Sequence, residues 1–108
     1  MKFVETPVFT KALRASLSDE EYRSLQTALL LRPEQGALVR GTGGLRKIRW
    51  AGLGHGKRGG YRIIYYYDYY DTARETFYML YIYPKNAQED LTPTQERLLA
   101  RLVREEFK

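Results

Sequence analysis

Residues 36–66 contain no Asp or Glu, and this acid-free segment limits what the chain can fold into more than any other feature. All nine glycines of the chain lie in it. The glycines favour turns, and the β-branched and aromatic residues between them favour strands, so the segment predicts strands and turns rather than helices. It also carries seven basic residues: Arg40, Arg46, Lys47, Arg49, Lys57, Arg58 and Arg62.

The positive charge of the chain is concentrated in this segment. The chain has 18 Lys and Arg against 13 Asp and Glu, and only 11 basic residues remain when the seven of the segment are set aside. A cationic segment without its own counter-charges repels itself when folded, so a polyanion is the usual compensating partner. Glycine-rich backbone and aromatic rings beside such charge are typical of RNA-handling surfaces. A pI near 9.5 also suits an acidic protein partner.

Length and composition narrow the class of protein. The 108 residues predict one domain, spanning 1–108. The absence of cysteine excludes disulfides, a thiolate nucleophile and zinc–thiolate sites, and a single histidine, His55, excludes a two-histidine metal or acid–base pair. We therefore expect neither a metal nor a cofactor. Glu5 and Pro7 interrupt the apolar run that a signal peptide needs, and no segment is apolar enough to span a bilayer, so the sequence predicts a cytoplasmic protein without membrane contact.

Helix caps and hydrophobic periodicity predict an α+β domain with an antiparallel sheet. Ser18–Glu21 is a capping box that begins a helix ending at Arg32–Pro33, and Thr92–Gln95 is a second capping box. The last helix should pack one apolar stripe: Leu98, Leu99, Leu102, Val103 and Phe107. A short strand is expected within residues 2–9, ended by Pro7, and three consecutive strands at 45–51, 61–69 (the central one) and 76–83.

Three cations should lie together on the sheet. Strand alternation puts Lys47 and Arg49 on the face opposite Ile48 and Trp50, and Arg62 belongs to the neighbouring strand. Charged strand residues more often form a plain solvated face. Here, however, no acid of the same segment can pair with them, and positioned cations can stabilise negative charge that grows on a phosphate.

Other motifs around these cations carry less information. Residues 52–58 resemble a phosphate-binding loop only superficially, because Ala51 and Arg58 stand where that motif needs Gly and Ser or Thr; we expect a flexible loop whose cations touch phosphates. Most of the ten tyrosines should be half-buried strand residues. Tyr81 and Tyr83, which lie next to Pro84, are the expected exceptions. Since His55 is alone, RNA cleavage would have to use lysine, arginine and tyrosine.

Several segments together resemble the HigB-type toxins of the RelE/ParE superfamily. They are Gly41–Arg49, Gly56–Tyr66, Tyr83–Asn86 with Asp90–Leu91, and Leu17–Tyr22. The first two are specific in combination, although either alone would be weak, and the likeness covers nearly the whole chain. The resemblance implies a RelE-like, microbial-RNase-type α+β fold in which a small antiparallel sheet packs against helices.

The same resemblance implies the toxin of a type II toxin–antitoxin system. Such a toxin is a ribosome-dependent mRNA interferase, a metal-independent endoribonuclease that inhibits translation by 2′-hydroxyl attack and leaves a 2′,3′-cyclic phosphate. Lys47 matches the catalytic lysine, a candidate general base, and Arg62 matches the arginine that stabilises the pentavalent phosphorane. Arg49 stands where many relatives have a second lysine. The remaining implied RNA- and ribosome-binding residues are Arg40, Arg46, Lys57 and Arg58.

The resemblance leaves the general acid open. The best-studied RelE pattern has an arginine where this chain has Asn86, and a tyrosine where it has Leu91 and Thr92. Lys85 matches the basic position after the last strand. Tyr83, Lys85 and Arg49 are therefore all candidates for the general acid.

The implied partners are the ribosome, mRNA and a cognate antitoxin. The antitoxin would be HigA-like, with a helix-turn-helix, and operator DNA would be contacted only through it. Two other functions are compatible with the sequence: a non-catalytic ParE-like toxin that inhibits DNA gyrase, and an RNA- or ribosome-binding module without chemistry. The intact set of cations disfavours the ParE-like function, because that branch generally lacks it.

Overall fold

The computed structural model describes residues 2–51, 60–68, 75–88 and 90–107. Within these residues the elements are β1 (Lys2–Glu5), α1 (Pro7–Ser16), α2 (Asp19–Leu31), β2 (Ala37–Leu38), β3 (Leu45–Trp50), β4 (Tyr61–Asp68), β5 (Thr76–Pro84) and α3 (Pro93–Leu102), which continues as a π-helical turn (Val103–Phe107). The α+β class and the three consecutive strands β3, β4 and β5 are as predicted.

The described strands form one sheet in the order β1-β5-β4-β3-β2, so β4 is its middle strand, as predicted. The expected antiparallel pairing holds from β2 to β5, whereas β1 pairs parallel to β5 and makes the sheet mixed. No hairpin joins β1 to β5, because two helices and three strands lie between them in the chain. Their relative direction therefore depends on tertiary packing, which the local sequence pattern does not report.

Both predicted capping boxes are present. The Ser18 hydroxyl accepts from the Glu21 backbone N–H at 3.1 Å, and the Glu21 carboxylate accepts from the Ser18 N–H at 2.9 Å. Thr92 and Gln95 make the same two bonds at 3.1 and 2.9 Å. Each box satisfies backbone donors that the first helical turn leaves without partners, which fixes where α2 and α3 begin.

The N-terminal strand ends at Glu5, before Pro7, as predicted, but α1 then begins at Pro7, a helix that the sequence analysis did not place. Its signal is present in the sequence. Thr6 is the N-cap, with its hydroxyl accepting from the Phe9 N–H at 3.0 Å, and Pro7 occupies the first helical position, where it loses no hydrogen bond.

The sheet has two faces with separate cores. On the first, which we call the α1/α2 face, α1 and α2 pack on the sheet; its buried residues are Phe9, Leu13, Leu17, Leu25, Leu29, Ile48, Ile63, Tyr65, Phe77, Met79 and Ile82. On the second, the α3 face, the buried residues are Leu45, Ile64, Leu80, Tyr83, Leu91 and Val103, with Leu99 and Leu102 partly buried against them.

The predicted apolar stripe of the last helix is confirmed at Leu99, Leu102 and Val103 and is wrong at Leu98. Leu99 and Leu102 pack on the α3 face, but Leu98 is 59% exposed and Ala100 is buried instead. Leu98 lines an open apolar groove of about 430 Å³ between α3, α1 and β5. The side chain of Phe107 lies outside the described residues.

None of the helices in the described part of the chain combines the length and apolar character that crossing a bilayer requires.

Candidate functional site

Arg49, Arg62 and Tyr83 form a row across three neighbouring strands. Arg49 pairs directly with Arg62 across β3 and β4, and Arg62 pairs with Tyr83 across β4 and β5. Directly opposed residues of antiparallel strands project to the same face, with their Cβ atoms about 4.5–5.5 Å apart. The row therefore lies on the α3 face, and three of the five residues predicted as catalytic are brought together in it.

Lys47 lies beside this row, two residues before Arg49 on β3. It pairs with Ile64, which in turn pairs with Tyr81, so Lys47 shares the α3 face with Arg49, as the alternation predicts. Ile48, between them, is buried on the opposite face. We call Lys47, Arg49 and Arg62 the cation cluster.

The cation cluster is graded in burial. Arg62 is 3% exposed and sits on the middle strand, whereas Arg49 is exposed and the Lys47 side chain is 27% exposed. A guanidinium keeps its charge even when it is buried, so the fixed cation at the base of the cluster is permanent. An anion that enters from solvent would meet Lys47 and Arg49 first and Arg62 last.

Tyr83 closes the row on its other side. The residue is 2% exposed, and its ring centroid lies 5.5 Å from that of Tyr81, which is half-buried. Tyr83 is thus a packed residue that contacts the core of the α3 face while standing opposite Arg62.

Gly60 holds the strand ends together beside the row. Its φ of 57° is in the left-handed region that glycine adopts without strain, and an added Cβ would lie 2.3 Å from the Trp50 carbonyl oxygen. The Gly60 carbonyl accepts a hydrogen bond from the Lys85 backbone N–H at 3.0 Å. This contact joins the start of β4 to the residue after β5, which fixes the register of the strands that carry the row.

Asp90 is the residue of this site that the sequence analysis did not assign. The Lys47 ammonium donates a hydrogen bond to the Asp90 carboxylate. The pKa of the Asp90 carboxyl is lowered, first by the bond and charge of Lys47 and then by the charges of Arg62 and Arg49. No acid within residues 36–66 could pair with the cluster, but tertiary structure supplies one from outside. Asp90 stood in the segments that carry the family resemblance, and this was its only sequence signal.

The Lys47–Asp90 pair borders a groove of about 180 Å³. Val39, Leu91 and Glu96 form the rest of its lining. A half-buried lysine and two carboxylates therefore surround a small opening next to the cation cluster. The groove is separate from the apolar one beside Leu98, because the two have no lining residue in common.

Of the remaining predicted site residues that the structure describes, Lys85 and Arg40 lie outside the cation cluster. Lys85 is exposed in the turn after β5, at the end of the sheet that carries the row, and Arg40 is exposed in the turn before β3. Lys57 and Arg58 lie outside the described residues, as do His55 and the rest of the predicted loop at 52–58.

Arg46 lies on the opposite face and has structural partners. It pairs with Tyr65 across β3 and β4, on the α1/α2 face. One of its guanidinium nitrogens donates to the carbonyls of Glu34 and Gly36 at 2.9 and 2.8 Å, and another contacts the Glu34 carboxylate at 3.1 Å. These bonds connect β3 to the segment after α2. Arg46 therefore lies on the other face of the sheet from the cation cluster and has a structural role there.

Within the described residues, no three His, Asp or Glu side chains are grouped closely enough to hold a metal ion. What the site offers is a fixed cation, two more accessible cations, a packed tyrosine and one carboxylate. Such a set can bind a phosphate and stabilise added negative charge on it. A family model described as "RelE toxin of RelE / RelB toxin-antitoxin system" matches residues 1–107 of the chain.

Proposed function

The chain belongs to the RelE toxin family of the RelE/RelB toxin–antitoxin system, and from this premise we propose that it is a HigB-type mRNA interferase. It is a toxin of a toxin–antitoxin system, a family whose members are generally endoribonucleases. Under this proposal it cuts messenger RNA on the ribosome and thereby inhibits translation.

The reaction would be attack of a ribose 2′-hydroxyl on the adjacent phosphate. The bond from the 2′-oxygen to phosphorus forms, the bond from phosphorus to the 5′-oxygen breaks, and the products are a 2′,3′-cyclic phosphate and a free 5′-hydroxyl. A base must remove the 2′-hydroxyl proton, and an acid must give a proton to the leaving 5′-oxygen. Between these steps the phosphorus carries extra negative charge, which cations in fixed positions stabilise.

The cation cluster carries this proposal. Arg62 and Arg49 face each other across β3 and β4, a spacing that lets two guanidinium groups contact oxygens of one phosphate. Lys47, on the same face, is the candidate base, a role that needs its neutral amine and hence release from the Asp90 carboxylate. Tyr83, opposite Arg62, and Lys85 and Arg49 remain the candidates for the acid.

The partners proposed for this activity are an antitoxin, the ribosome and mRNA. A toxin of this family implies an antitoxin that neutralises it. We propose a HigA-like helix-turn-helix protein encoded beside the toxin, through which the complex would reach operator DNA, and a cytoplasmic place of action. Dense positive charge on the toxin would speed its association with an acidic antitoxin segment.

Primer-extension mapping of mRNA in a translating extract tests the proposed activity. The expected result is a set of new 5′ ends within translated codons that appears only with the protein and only when ribosomes translate. Arg62→Ala protein, shown to be folded by circular dichroism, is the matched control and should give far fewer ends. Ends that appear equally on naked RNA would contradict ribosome dependence.

The other two functions would both leave the mRNA uncut, and a gyrase assay and ribosome co-sedimentation separate them from each other. A ParE-like toxin would leave mRNA intact while purified DNA gyrase loses supercoiling activity in its presence. An RNA- or ribosome-binding module would co-sediment with ribosomes and produce no new ends. Either result would remove the endoribonuclease from consideration.

A further inference from the structure

The backbone at Asp90 is held by contacts other than the ion pair with Lys47. The Gln88 side chain donates to the Asp90 carbonyl at 2.8 Å and to the Gln95 side-chain oxygen at 2.9 Å. Leu91, the next residue, is 7% exposed and belongs to the core of the α3 face. The capping box of α3 follows at Thr92. These contacts fix the Asp90 backbone at the cluster whether or not its carboxylate is bonded to Lys47.

The Asp90 carboxylate thereby brings a negative charge to the cation cluster. It is bonded to Lys47, which shares a face with the Arg49–Arg62 pair. The lowering of its pKa by all three cations is consistent with this position. A carboxylate and a phosphate oxygen accept hydrogen bonds from the same donors, so both cannot use the Lys47 ammonium fully at once.

We propose that Asp90 is a built-in competitor of the RNA phosphate, which closes the cation cluster through Lys47 in the free protein and is displaced when RNA binds. This inference rests on the proposed function, since it takes an RNA phosphate to be the ligand of the cluster. Asp90 would act on the reaction through Lys47 and would not itself touch the reacting atoms.

The ion pair is suited to opening. The Asp90 side chain is 65% exposed and that of Lys47 27% exposed, and ion pairs in contact with water contribute little to stability. A phosphate that contacts two or three cations at once can therefore replace it. The cost of displacing Asp90 lowers the affinity of the free toxin for RNA. A site that positions RNA well, as a ribosome would, can meet this cost.

Binding of an RNA that cannot be cut tests the inference. The probe is a short single-stranded RNA with 2′-O-methyl groups throughout, and the readout is its dissociation constant by fluorescence anisotropy at several salt concentrations. Asp90→Asn should bind about fivefold more tightly than the unchanged protein, because it frees Lys47 and removes a repelling charge. The salt dependence should steepen by about one unit, since one more phosphate contact is made.

Glu20→Gln is the matched control, because it also removes one negative charge. Glu20 is exposed on α2, which packs on the opposite face of the sheet. It should leave affinity nearly unchanged. In a Lys47→Met background, Asp90→Asn should lose most of its effect, which a general change of net charge would not do. Asp90→Ser provides a second variant if Asp90→Asn is poorly folded.

The inference would be overturned if Asp90→Asn bound the probe no more tightly than the wild-type protein. It would also be overturned if Glu20→Gln gave the same gain in affinity, or if neither the wild-type protein nor Asp90→Asn bound the probe. The proposed function is judged separately, by the mRNA ends in the extract. Tighter binding by Asp90→Asn without any mRNA cleavage would support the inference and contradict the proposed endoribonuclease activity. Cleavage with unchanged binding would support the proposed activity and contradict the inference.

Discussion

The two faces of the sheet use the same strands for different purposes. On the α1/α2 face, β3 and β4 contribute Ile48, Ile63 and Tyr65, which two helices bury. On the α3 face, the same two strands contribute Leu45 and Ile64 to a second core, and Lys47, Arg49 and Arg62 lie beside them. The first face is therefore lined by apolar residues, whereas the second also carries cations, of which Arg49 is exposed, Lys47 is partly exposed and Arg62 is buried.

Arginine behaves differently on each face. Arg46, on the α1/α2 face, is bonded to Glu34 and to two carbonyls, and it joins β3 to the segment after α2. Arg49, three residues later on the other face, is exposed and stands opposite another arginine. Like charges placed directly opposite each other destabilise a strand pair, so this pair adds nothing to the stability of the sheet by itself. The contrast predicts that substitutions on the α1/α2 face lower the stability of the protein and that substitutions of the cations on the α3 face weaken RNA binding and cleavage.

The largest expected effect is on the stability of the α1/α2 face. Leu25 is fully buried on α2, and Leu25→Ala should lower the free energy of unfolding by about 2–5 kcal/mol, through lost burial and the cavity left behind. Leu31, on the same helix, is 77% exposed, so Leu31→Ala is the matched control and should cost little. Urea unfolding followed by circular dichroism measures both. Equal losses would show that α2 does not close this face.

Arg62→Ala tests the other face. Loss of this cation should slow mRNA cleavage about a hundredfold, equivalent to about 3 kcal/mol of transition-state stabilisation. Primer extension against time in a translating extract measures the rate. Arg14→Ala, an exposed arginine on α1, removes the same charge away from the site and should keep the rate. Near wild-type cleavage by folded Arg62→Ala protein would exclude Arg62 from catalysis.

Tyr65→Phe should give a smaller effect, confined to stability. The Tyr65 hydroxyl donates to the Pro33 carbonyl at 2.8 Å and accepts from the Gly36 N–H at 3.0 Å, so its removal leaves buried groups unsatisfied. We expect a loss of about 1–3 kcal/mol in the free energy of unfolding. Tyr81→Phe is the control, because the structure describes no hydrogen bond for that hydroxyl. A Tyr65→Phe protein as stable as Tyr81→Phe would contradict this account.

The stability difference between wild type and Tyr65→Phe should also depend on pH. Burial raises the pKa of the Tyr65 hydroxyl, so the folded state holds that proton more tightly than the unfolded state does. Its contribution is present below the ordinary tyrosine value of about 10 and is lost as pH rises through the higher folded value. Urea unfolding of both proteins from pH 8 to pH 11 should show the difference shrinking above pH 10, and a constant difference would contradict the shift.

The smallest expected effect is on the salt dependence of RNA binding. Arg49→Met should lower the slope of log affinity against log salt by about one unit, because one phosphate contact is lost. Arg46→Met, on the same strand but the opposite face, should leave the slope unchanged while it lowers stability. Anisotropy titrations with the uncleavable RNA give both slopes. Equal slopes for the two variants would contradict the prediction that RNA contacts the α3 face and not the α1/α2 face.

Much of this structure follows from local sequence signals. The capping boxes at Ser18 and Thr92 place two helices, because cap hydrogen bonds form within four residues of chain. Alternation assigns Lys47 and Arg49 to one face and Ile48 to the other, because side chains along a strand change sides at every residue. The Thr6–Pro7 signal for α1 was equally local and could have been used. The family resemblance, too, rests on short segments of sequence.

The tertiary structure alone decided which of these residues meet. The opposition of Arg49 to Arg62 and of Arg62 to Tyr83 depends on strand register, which a shift of one residue would change, and alternation within a strand does not fix it. The parallel direction of β1 and the exposure of Leu98 depend on how distant elements pack. Asp90 reaches Lys47 across 43 residues of chain. Such a contact forms only when the sheet and the loop before α3 are both in place, because the charges on a chain attract or repel according to distance in space rather than in sequence.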